Sequence, residues 1–280
     1  MKTIKDILNF SLINIDKPAG PTSYSISEYV RRALDLKKTS HMGTLDPKVT
    51  GVLPITLGRA CKLAGHFIKH NKSYVGVLHT HKDQDIKKLQ KLIDKNFIGK
   101  IRQTPPHRSA VKREEREREV YSWKLLEASS DKNFLFECKV EGGTYIRKLC
   151  SDLGEMIGGA HMGELRRTEA GIFSEEKMYD LNEFKRAVED YKLGKEKMLR
   201  SMLVPAEDAI KKVLPVVKVD KSAIKSLHIG KPLFKSNILG NSSNINEGDV
   251  FALFCGSEFV GIYKRGNEEI IFGRSEFVYN

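Results

Sequence analysis

The sequence predicts an α+β protein of two domains, a large one over residues 1–210 and a small β-rich one over residues 211–280. Two observations support this prediction: strands and helices alternate along the large domain, and the pattern changes to short strands with hairpin turns after Leu214–Pro215. The length of 280 residues fits a large domain with a small companion, because single domains usually have about 100–200 residues.

Two strand–helix pairs mark the large domain. Residues 73–79 alternate in the manner of a strand, and apolar residues recur over 86–93 at the spacing of three and four that predicts a helix. A second strand is predicted over 134–143, and an apolar stripe over 146–157 predicts the helix that follows it. Paired glycines, Gly142–Gly143, stand at the junction between these last two elements.

Helices are also predicted near both ends of the large domain. After a Pro- and Gly-rich turn at 16–21, Ser25 and Glu28 have the spacing of a capping box, which is typical of a helix N-terminus. From Leu181 to Asp208 the chain is rich in charge and is predicted to be helical.

The small domain is predicted to be built on β-hairpins. A strand at 216–219 is followed by a short helix that Asp220 caps and Gly230 closes. Three further strands are predicted at 249–254, 258–263 and 269–273, with Gly-Ser and Gly-Asn turns between them.

The charge of the protein indicates a polyanionic partner. The chain has 48 Lys and Arg against 36 Asp and Glu, a formal charge of +12, and its pI is near 9.4. Each basic pair alone is typical of a solvated face, but together they favour an extended nucleic-acid surface bound mainly through phosphates. The pairs are Arg31–Arg32, Lys37–Lys38, Lys112–Arg113 and Arg166–Arg167.

Cysteine and histidine spacing argue against a metal centre or disulfides. The four cysteines are far apart in sequence and form no CxxC pair. His79 and His81 alternate by two and could share a strand face, but no third ligand is visible, so no metal site is predicted. No apolar run is long enough to span a membrane, and the N-terminal stretch lacks the features of a signal peptide, so a cytoplasmic protein is expected.

Asp46 is the first candidate functional residue. It is the single carboxylate in the Gly- and Pro-framed segment HMGTLDPKVTGVLP at 41–54. One interpretation is structural, because Asp before Pro commonly starts a turn. The other is that this acid performs chemistry, and the spacing alone does not decide between the two.

Arg147 and Tyr74 are candidates for the surroundings of that acid. In GGTYIRKLCSDLG at 142–154, Thr144 precedes a helix and Arg147 falls in its first turn, from which a guanidinium can pair with a carboxylate through two hydrogen bonds. Tyr74 stands in a strand and could present its ring to a flat ligand. The alternatives are an ordinary surface arginine and a core tyrosine.

Five ordered segments resemble the motifs of TruB-type pseudouridine synthases over about 155 residues. They are DKPAGPTS at 16–23, HMGTLDPKVTG at 41–51, KSY at 72–74, GGTYIRKLCSDLG at 142–154 and HMGELRRTEAG at 161–171. The forms LDPKVTGVLP and PPHRSAVKR at 105–113 are more similar to the dyskerin branch, the catalytic subunit of archaeal and eukaryotic H/ACA guide-RNA particles. The segment from about 214 resembles a PUA domain, which that branch carries.

This resemblance implies a catalytic domain with a central mixed or antiparallel sheet flanked by helices. It implies isomerisation of uridine to pseudouridine in RNA, in which the uracil leaves its sugar, turns and is rejoined through carbon, without a cofactor. Carried over by motif, Asp46 matches the catalytic aspartate, Arg147 its ion-pair partner, Tyr74 the ring that stacks on the base and Leu165 an apolar contact beside it. His41 and Lys17 match positions that shape the site.

The resemblance also implies RNA contacts and partners. Lys48, Lys112, Arg113 and Arg166 are the cations expected to contact RNA. The expected partners are guide RNA, target rRNA or tRNA, a small zinc-ribbon-like scaffold protein, a β-barrel protein that governs substrate turnover, and a kink-turn binder. If the source is eukaryotic, the expected context is a nucleolar type of particle.

Three functions are compatible with these residues. The favoured one is the catalytic subunit of an H/ACA particle. Only about 30 residues separate the KSY strand from PPHRSAVKR, so the segment available there for binding RNA is short. A short RNA-binding segment favours dependence on guide RNA and partner proteins. The second is a stand-alone enzyme that modifies position 55 in the tRNA T-loop. The third, a non-catalytic RNA scaffold, fits poorly with an intact Asp46, Tyr74 and Arg147. Met42 departs from the small residue usual in the dyskerin branch.

Overall fold

A computed structural model describes residues 2–105 and 112–280 of the chain. The chain forms two compact units, residues 1–203 and residues 204–280. The domain boundary predicted from the sequence, after residue 210, lies slightly later than this division. The structure is α+β in both units, with a large mixed sheet in the first and a smaller sheet in the second.

A mixed sheet is the centre of the first unit. Its strands run in the spatial order β10-β1-β3-β8-β4-β7-β6-β5, with β2 paired to β3 and β9 paired to β8. The pair β3 and β8 is parallel, whereas β4 is antiparallel to both β7 and β8. The strands are β1 (Phe10–Lys17), β2 (Thr39–His41), β3 (Thr50–Gly58), β4 (Lys72–Thr80), β5 (Gly99–Gln103), β6 (Arg116–Ser130), β7 (Asn133–Val140), β8 (Ala160–Ala170), β9 (Phe173–Ser174) and β10 (Leu203–Pro205).

Helices cover the sheet and form two hydrophobic cores with it. One core joins α4 and α5 to β4, β6 and β7, with Trp123 at its centre against Phe97 and Phe136. The other joins α1, α2, α6 and α7 to β1 and β3. The helices are α1 (Ile4–Asn9), α2 (Ser23–Ala33), α3 (Ala64–Ile68), α4 (Ile86–Asn96), α5 (Ile146–Ile157), α6 (Leu181–Lys192) and α7 (Lys197–Met202).

The second unit has its own core around a six-stranded sheet. The spatial order is β12-β16-β15-β14-β11-β13, and the core includes Phe251, Tyr263 and Phe272. Its elements are α8 (Ala206–Ile210), β11 (Val216–Val219), α9 (Ile224–His228), β12 (Leu233–Phe234), β13 (Ile238–Leu239), β14 (Val250–Cys255), β15 (Glu258–Arg265) and β16 (Ile271–Val278).

The structure confirms most predicted elements and corrects two. The helix at 181–208 is in fact interrupted after α6, because Gly194 adopts a positive φ of 82° and a second helix begins at Lys197. The capping box at Ser25 and Glu28 is wrong. Thr22 caps α2 instead, since its Oγ1 accepts a hydrogen bond from Ser25 N at 3.0 Å.

Within the described ranges, no helix combines the length and the apolar character that a membrane crossing needs.

Candidate active site

Asp46 lies in the connection between β2 and β3, and the backbone on both sides of it is anchored. Leu45 and Val49 are buried in the hydrophobic core, and Val49 N donates a hydrogen bond to Asp46 O at 3.0 Å, which closes a turn. The carboxylate itself is half-exposed, with 46% of the side chain accessible. The turn therefore presents a solvent-accessible acid from a fixed backbone.

Lys17 holds this turn through hydrogen bonds to its backbone. Its side chain is fully buried, and Nζ donates hydrogen bonds to the carbonyls of Pro18, Pro47 and Val49 at 2.8–2.9 Å. Three carbonyl acceptors match the three N–H donors of an ammonium group. Burial lowers the pKa of Lys17 from its ordinary value. Lys17 thus holds the backbone that follows Asp46, and its predicted role in shaping the site stays a prediction.

The first turn of α2 is bonded to the same loop. Ser23 Oγ accepts from Leu45 N at 2.8 Å and donates to Leu45 O at 3.0 Å, and Ser23 is fully buried. The residue that precedes Asp46 thus has both backbone polar groups bonded to one side chain. The segments DKPAGPTS and LDPKVTG are therefore in direct contact in the structure.

Arg147 on α5 forms an ion pair with Asp46. The Arg147 guanidinium donates to Asp46 Oδ2, although the two residues are 101 positions apart in sequence. The start of α5 is fixed by Gln103, whose side chain accepts from Tyr145 N at 3.0 Å and donates to Tyr145 O at 3.3 Å. The predicted pairing of Arg147 and Asp46 is present in the geometry, and both side chains are about half-exposed.

Tyr74 and Arg167 face each other across β4 and β8. They are register partners in the antiparallel pair, and each influences the pKa of the other. Arg167 Nε also donates to Val52 O at 2.8 Å and Nη2 donates to Gly43 O at 3.0 Å. Burial raises the pKa of Tyr74 and lowers the pKa of Arg167. One guanidinium therefore bonds strand β3 and the loop of Asp46, from the strand position opposite Tyr74.

A second buried cation, Lys72, lies close by. Its Nζ donates to Ile68 O at 2.8 Å and to His70 O at 3.0 Å, and the residue is 6% exposed. A Cβ at Gly43 would lie 3.3 Å from both the Lys72 side chain and the Arg167 guanidinium, so the two cations pack on the same side of the loop. Burial, followed by the charge of Arg167, lowers the pKa of Lys72 to about 8.

Leu165 and His41 are the two remaining residues that the sequence predicts to be near Asp46. Leu165 lies on β8 opposite Gly76 of β4 and is 7% exposed, as is Tyr74, so little of either side chain reaches solvent. His41 ends β2, and its Nε2 lies 3.1 Å from Thr44 Oγ1. Burial, with a smaller contribution from Arg167, lowers the pKa of His41. The roles expected for these residues stay predictions, but the residues do surround one loop.

Comparison with known proteins decides the family. The N-terminal domain profile of the TruB family pseudouridylate synthases matches residues 31–146, and the tRNA pseudouridylate synthase B C-terminal domain profile matches residues 147–211. The Probable tRNA pseudouridine synthase B of Methanopyrus kandleri is 41% identical over 255 residues, which are 90% of this chain and 75% of the relative. The chain belongs to the TruB family of pseudouridine synthases. It is an RNA isomerase.

Other relatives agree with this assignment. A Probable tRNA pseudouridine synthase B of Korarchaeum cryptofilum is 43% identical over 249 residues, which are 88% of this chain and 76% of the relative. The structure is similar to a chain of an H/ACA RNP bound to a substrate RNA containing 2′-deoxyuridine, with TM-score 0.88 and 34% identity over 100% of this chain and 88% of that one. A chain of a Cbf5-Nop10-Gar1 complex gives TM-score 0.89 and 35% identity over 100% and 87%.

The cations predicted to contact RNA differ in what surrounds them in this TruB-family chain. Lys48 is exposed in the loop of Asp46. Lys112 is exposed and pairs with Glu114, and Arg113 is exposed beside it. The six residues 106–111 of the motif PPHRSAVKR lie outside the described residues.

Arg166 has a different environment from the other three cations. It donates to both carboxylate oxygens of Asp16 at 3.1 Å and to Glu175 at 3.1 Å. The hydrogen bond with Asp16 is the largest influence that raises its pKa. Two carboxylates already balance this charge, which disfavours the phosphate contact predicted for Arg166 from the sequence.

The structure also adds a third histidine to the pair noted in the sequence. His161 on β8 is the register partner of His79, and its Nδ1 lies 3.2 Å from His81 Nε2. Even so, the part of the chain that the structure describes contains no group of three or more His, Cys, Asp or Glu arranged to hold a metal ion.

Sequence reasoning missed the two buried cations beside Tyr74. In the sequence, Arg167 belongs to the basic pair Arg166–Arg167 and Lys72 to the motif KSY, and neither pattern indicates that these side chains are buried. The alternation of β8 contains a usable signal, because residues 165 and 167 lie on one face and residue 166 on the other. Once Leu165 is assigned to the interior, Arg167 must lie there too.

Proposed function

We propose that the protein is the catalytic subunit of an H/ACA guide-RNA pseudouridylation particle that acts on rRNA, with tRNA as a further substrate. The observation that carries the proposal is the similarity of the whole chain, at 34–35% identity, to chains of H/ACA assemblies. A short segment supports it: between β4 and β5 the chain has one helix, α4, where a stand-alone enzyme needs a larger RNA grip.

The roles of the site residues follow from chemistry. Asp46 is the reacting carboxylate, because it is the acid that a fixed, accessible turn presents. Arg147 holds that carboxylate in one orientation through a charge-assisted hydrogen bond. The target uridine leaves the RNA stack, which costs a few kcal/mol, and contact with Tyr74 and Leu165 offsets part of this cost.

The proposed partners are those of such a particle. The protein binds guide RNA and target RNA, and it assembles with a small zinc-ribbon-like scaffold, a β-barrel protein and a kink-turn binder. The second unit, with its six-stranded sheet, acts as a PUA RNA-binding domain. The formal charge of +12 supports an RNA partner, since phosphate contacts supply much of the affinity in such complexes.

A second function is favoured by the names of the relatives. Proteins 39–43% identical to this chain are named Probable tRNA pseudouridine synthase B. The alternative is therefore a stand-alone enzyme that modifies the T-loop at position 55 without a guide. Both functions use the same Asp46 site.

The test compares the two functions in one assay. Pseudouridine formation is measured in an unmodified tRNA transcript by the purified protein alone, and in an rRNA fragment with a matched guide RNA and the partner proteins. Asp46→Asn is the control in both reactions, because it keeps the size of the side chain and removes its charge.

Each outcome has a clear meaning. Asp46-dependent product in the rRNA fragment only when guide and partners are present supports the particle subunit. Complete T-loop modification by protein alone, with no product in the guided reaction, supports the stand-alone enzyme. Equal behaviour of wild type and Asp46→Asn in every reaction would contradict both functions and favour a scaffold.

A further inference from the structure

A polar groove lies beside the Asp46 loop, between α2 and β2. It has a volume of about 250 Å³ and is open to solvent. Ser27, Thr39 and Ser40 line it together with Tyr24, two lysines and His41. We propose that this groove binds an unpaired nucleotide of the substrate RNA next to the target uridine, with its base on the ring of Tyr24 and its phosphate at Lys37 and Lys38. The proposal rests on the proposed function, since it names the RNA segment that flanks the same site.

The groove is structurally continuous with the candidate active site. Tyr24 follows Ser23, which makes two hydrogen bonds to Leu45, the neighbour of Asp46. At the other end His41 contributes to the groove and is also bonded to Thr44 in the Asp46 loop. The groove and the Asp46 loop are therefore connected through Ser23 and His41, and the nucleotide beside the target uridine is the proposed occupant.

The walls of the groove are rigid. Thr39 Oγ1 lies 3.0 Å from Ser27 Oγ and donates to Ser27 O at 3.0 Å, which joins β2 to the middle of α2. α2 is in turn packed on the core through Ile26 and Val30. A site held by a helix and a strand can position a ligand with little loss of conformational freedom.

Tyr24 has the features of a stacking platform. Its side chain is on the first turn of α2 and is 69% exposed, which is unusual for an aromatic residue with no functional reason to face water. Bases stack on such rings irrespective of sequence, because every base has a π-face. An acidic peptide would use the lysines of the groove but would gain little from the ring.

The charges of the groove also favour a phosphate at one position. The Glu28 carboxylate accepts two hydrogen bonds of 2.8 Å from Arg31 and one of 2.7 Å from Arg32, so its charge is already paired. No carboxylate among the described residues lies within ion-pair distance of Lys37 or Lys38, and both lysines are exposed. The groove thus offers two uncompensated ammonium groups for a phosphate and an exposed ring for a base, which are the two parts of a nucleotide.

The first experiment measures the Kd of the full-length protein for an unmodified tRNA transcript and for a guide RNA paired to its target. Tyr24→Ala is expected to weaken binding of at least one RNA about tenfold, and Tyr24→Phe is expected to bind as the wild type does, because the ring is what stacks. Tyr121→Ala, which removes an exposed tyrosine from β6, is the matched control and is expected to change nothing.

The second experiment tests the phosphate contact. Lys37→Gln with Lys38→Gln is expected to flatten the dependence of log Kd on log salt by about one unit, since each lost phosphate contact removes roughly 0.7–0.9. Lys87→Gln with Lys88→Gln, an equally exposed adjacent pair on α4, is the control for loss of net charge alone.

The third experiment identifies the nucleotide. 4-Thiouridine placed on either side of the target uridine is expected to cross-link to the peptide that contains Tyr24 when the inactive Asp46→Asn protein is used. Cross-links elsewhere, unchanged binding by Tyr24→Ala, or no affinity of the wild type for either RNA would each overturn the proposal. If these effects are present but no RNA is modified, the proposed function fails and the groove remains an RNA site.

Discussion

Asp46 combines an accessible carboxylate with a backbone that cannot move freely. The side chain is half-exposed, while its neighbours Leu45 and Val49 are buried and Lys17 holds the carbonyls of Pro47 and Val49. Orientation of the carboxylate then depends on its partner, Arg147. Loss of that partner changes geometry at the reacting group and leaves the RNA-facing surface intact.

We therefore expect Arg147→Ala to reduce the rate of pseudouridine formation about 100-fold, because small displacements of reacting groups can cost this much. The Kd for RNA should change by no more than about threefold. Single-turnover kinetics and binding by fluorescence anisotropy measure the two effects. Arg147→Lys, which keeps the charge but not the planar fork, should recover part of the rate. Equal losses of rate and affinity would show that Arg147 is an RNA contact.

Lys72 makes the stability of the protein depend on pH in a defined range. Its pKa is about 8 in the folded protein and about 10.5 when unfolded. Between these values the unfolded chain binds more protons, so the free energy of unfolding rises with pH from about 8 to 10.5. Below pH 8 the lysine is charged in both states and contributes no slope.

The corresponding prediction compares wild type with Lys72→Met. The free energy of unfolding of the wild type should increase relative to that of the variant by up to about 3 kcal/mol as the pH rises from 8 to 10.5. Urea denaturation at several pH values measures the difference. Lys124→Met removes an exposed lysine and should show no such trend. A constant difference between wild type and Lys72→Met would contradict the burial of this charge.

At the scale of elements, Arg167 connects three parts of the sheet. It lies on β8, bonds β3 at Val52, bonds the Asp46 loop at Gly43, and is the register partner of Tyr74 on β4. Gly51 of β3 lies opposite the backbone of Arg167 in the pairing of β3 with β8, and this close approach requires a glycine. It has a φ of 100°, and a Cβ there would lie 2.2 Å from Arg167 O. The buried Arg167 side chain thus ties the Asp46 loop and strand β3 to the part of β8 that pairs with Tyr74.

We expect Arg167→Met to lower the free energy of unfolding by about 2–5 kcal/mol, because it leaves the carbonyls of Val52 and Gly43 without their partner in the interior. Arg166→Met, the adjacent residue with its charge at the surface, should cost about 1 kcal/mol or less. Chemical denaturation measures both. Similar values for the two variants would show that the interior bonds of Arg167 contribute little.

The sequence predicts these elements better than it predicts their contacts. β4, α4, β7 and α5 follow from local periodicity, and Asp220 caps the short turn at Lys221–Ala223 that leads into α9. The cap at Thr22 lies three residues before the predicted one, because Ser25 with Glu28 fits the capping-box pattern whereas Thr22 with Ser25 does not. The ion pair of Asp46 and Arg147 spans 101 positions and was obtained from family resemblance, since no local rule relates residues so far apart.

At the scale of the whole molecule, the net charge overstates the surface available to phosphate. Several cations are buried and bonded to backbone carbonyls, including Lys17, Lys72 and Arg167. Composition cannot separate these from exposed cations, and it also cannot show that Arg166 is paired with two carboxylates. The structure distinguishes the buried or paired cations from the exposed ones, and only the exposed ones are available to bind phosphate and release counterions from RNA.

Lys48 and Arg166 provide a direct test of this distinction. Lys48 is exposed two residues from Asp46, whereas Arg166 already has Asp16 and Glu175 as partners. We expect Lys48→Gln to lower the slope of log Kd against log salt by about 0.7–0.9, the value for one phosphate contact. Arg166→Gln should leave the slope nearly unchanged.

The measurement is a salt titration of RNA binding by the two variants and the wild type in parallel. Because both substitutions remove one positive charge, any difference between them reflects the local surroundings of the charge and excludes net charge as the cause. A larger change of slope for Arg166→Gln would mean that RNA displaces Asp16 and Glu175 from this guanidinium, and the ion pairs of the free protein would then be exchanged for phosphate on binding.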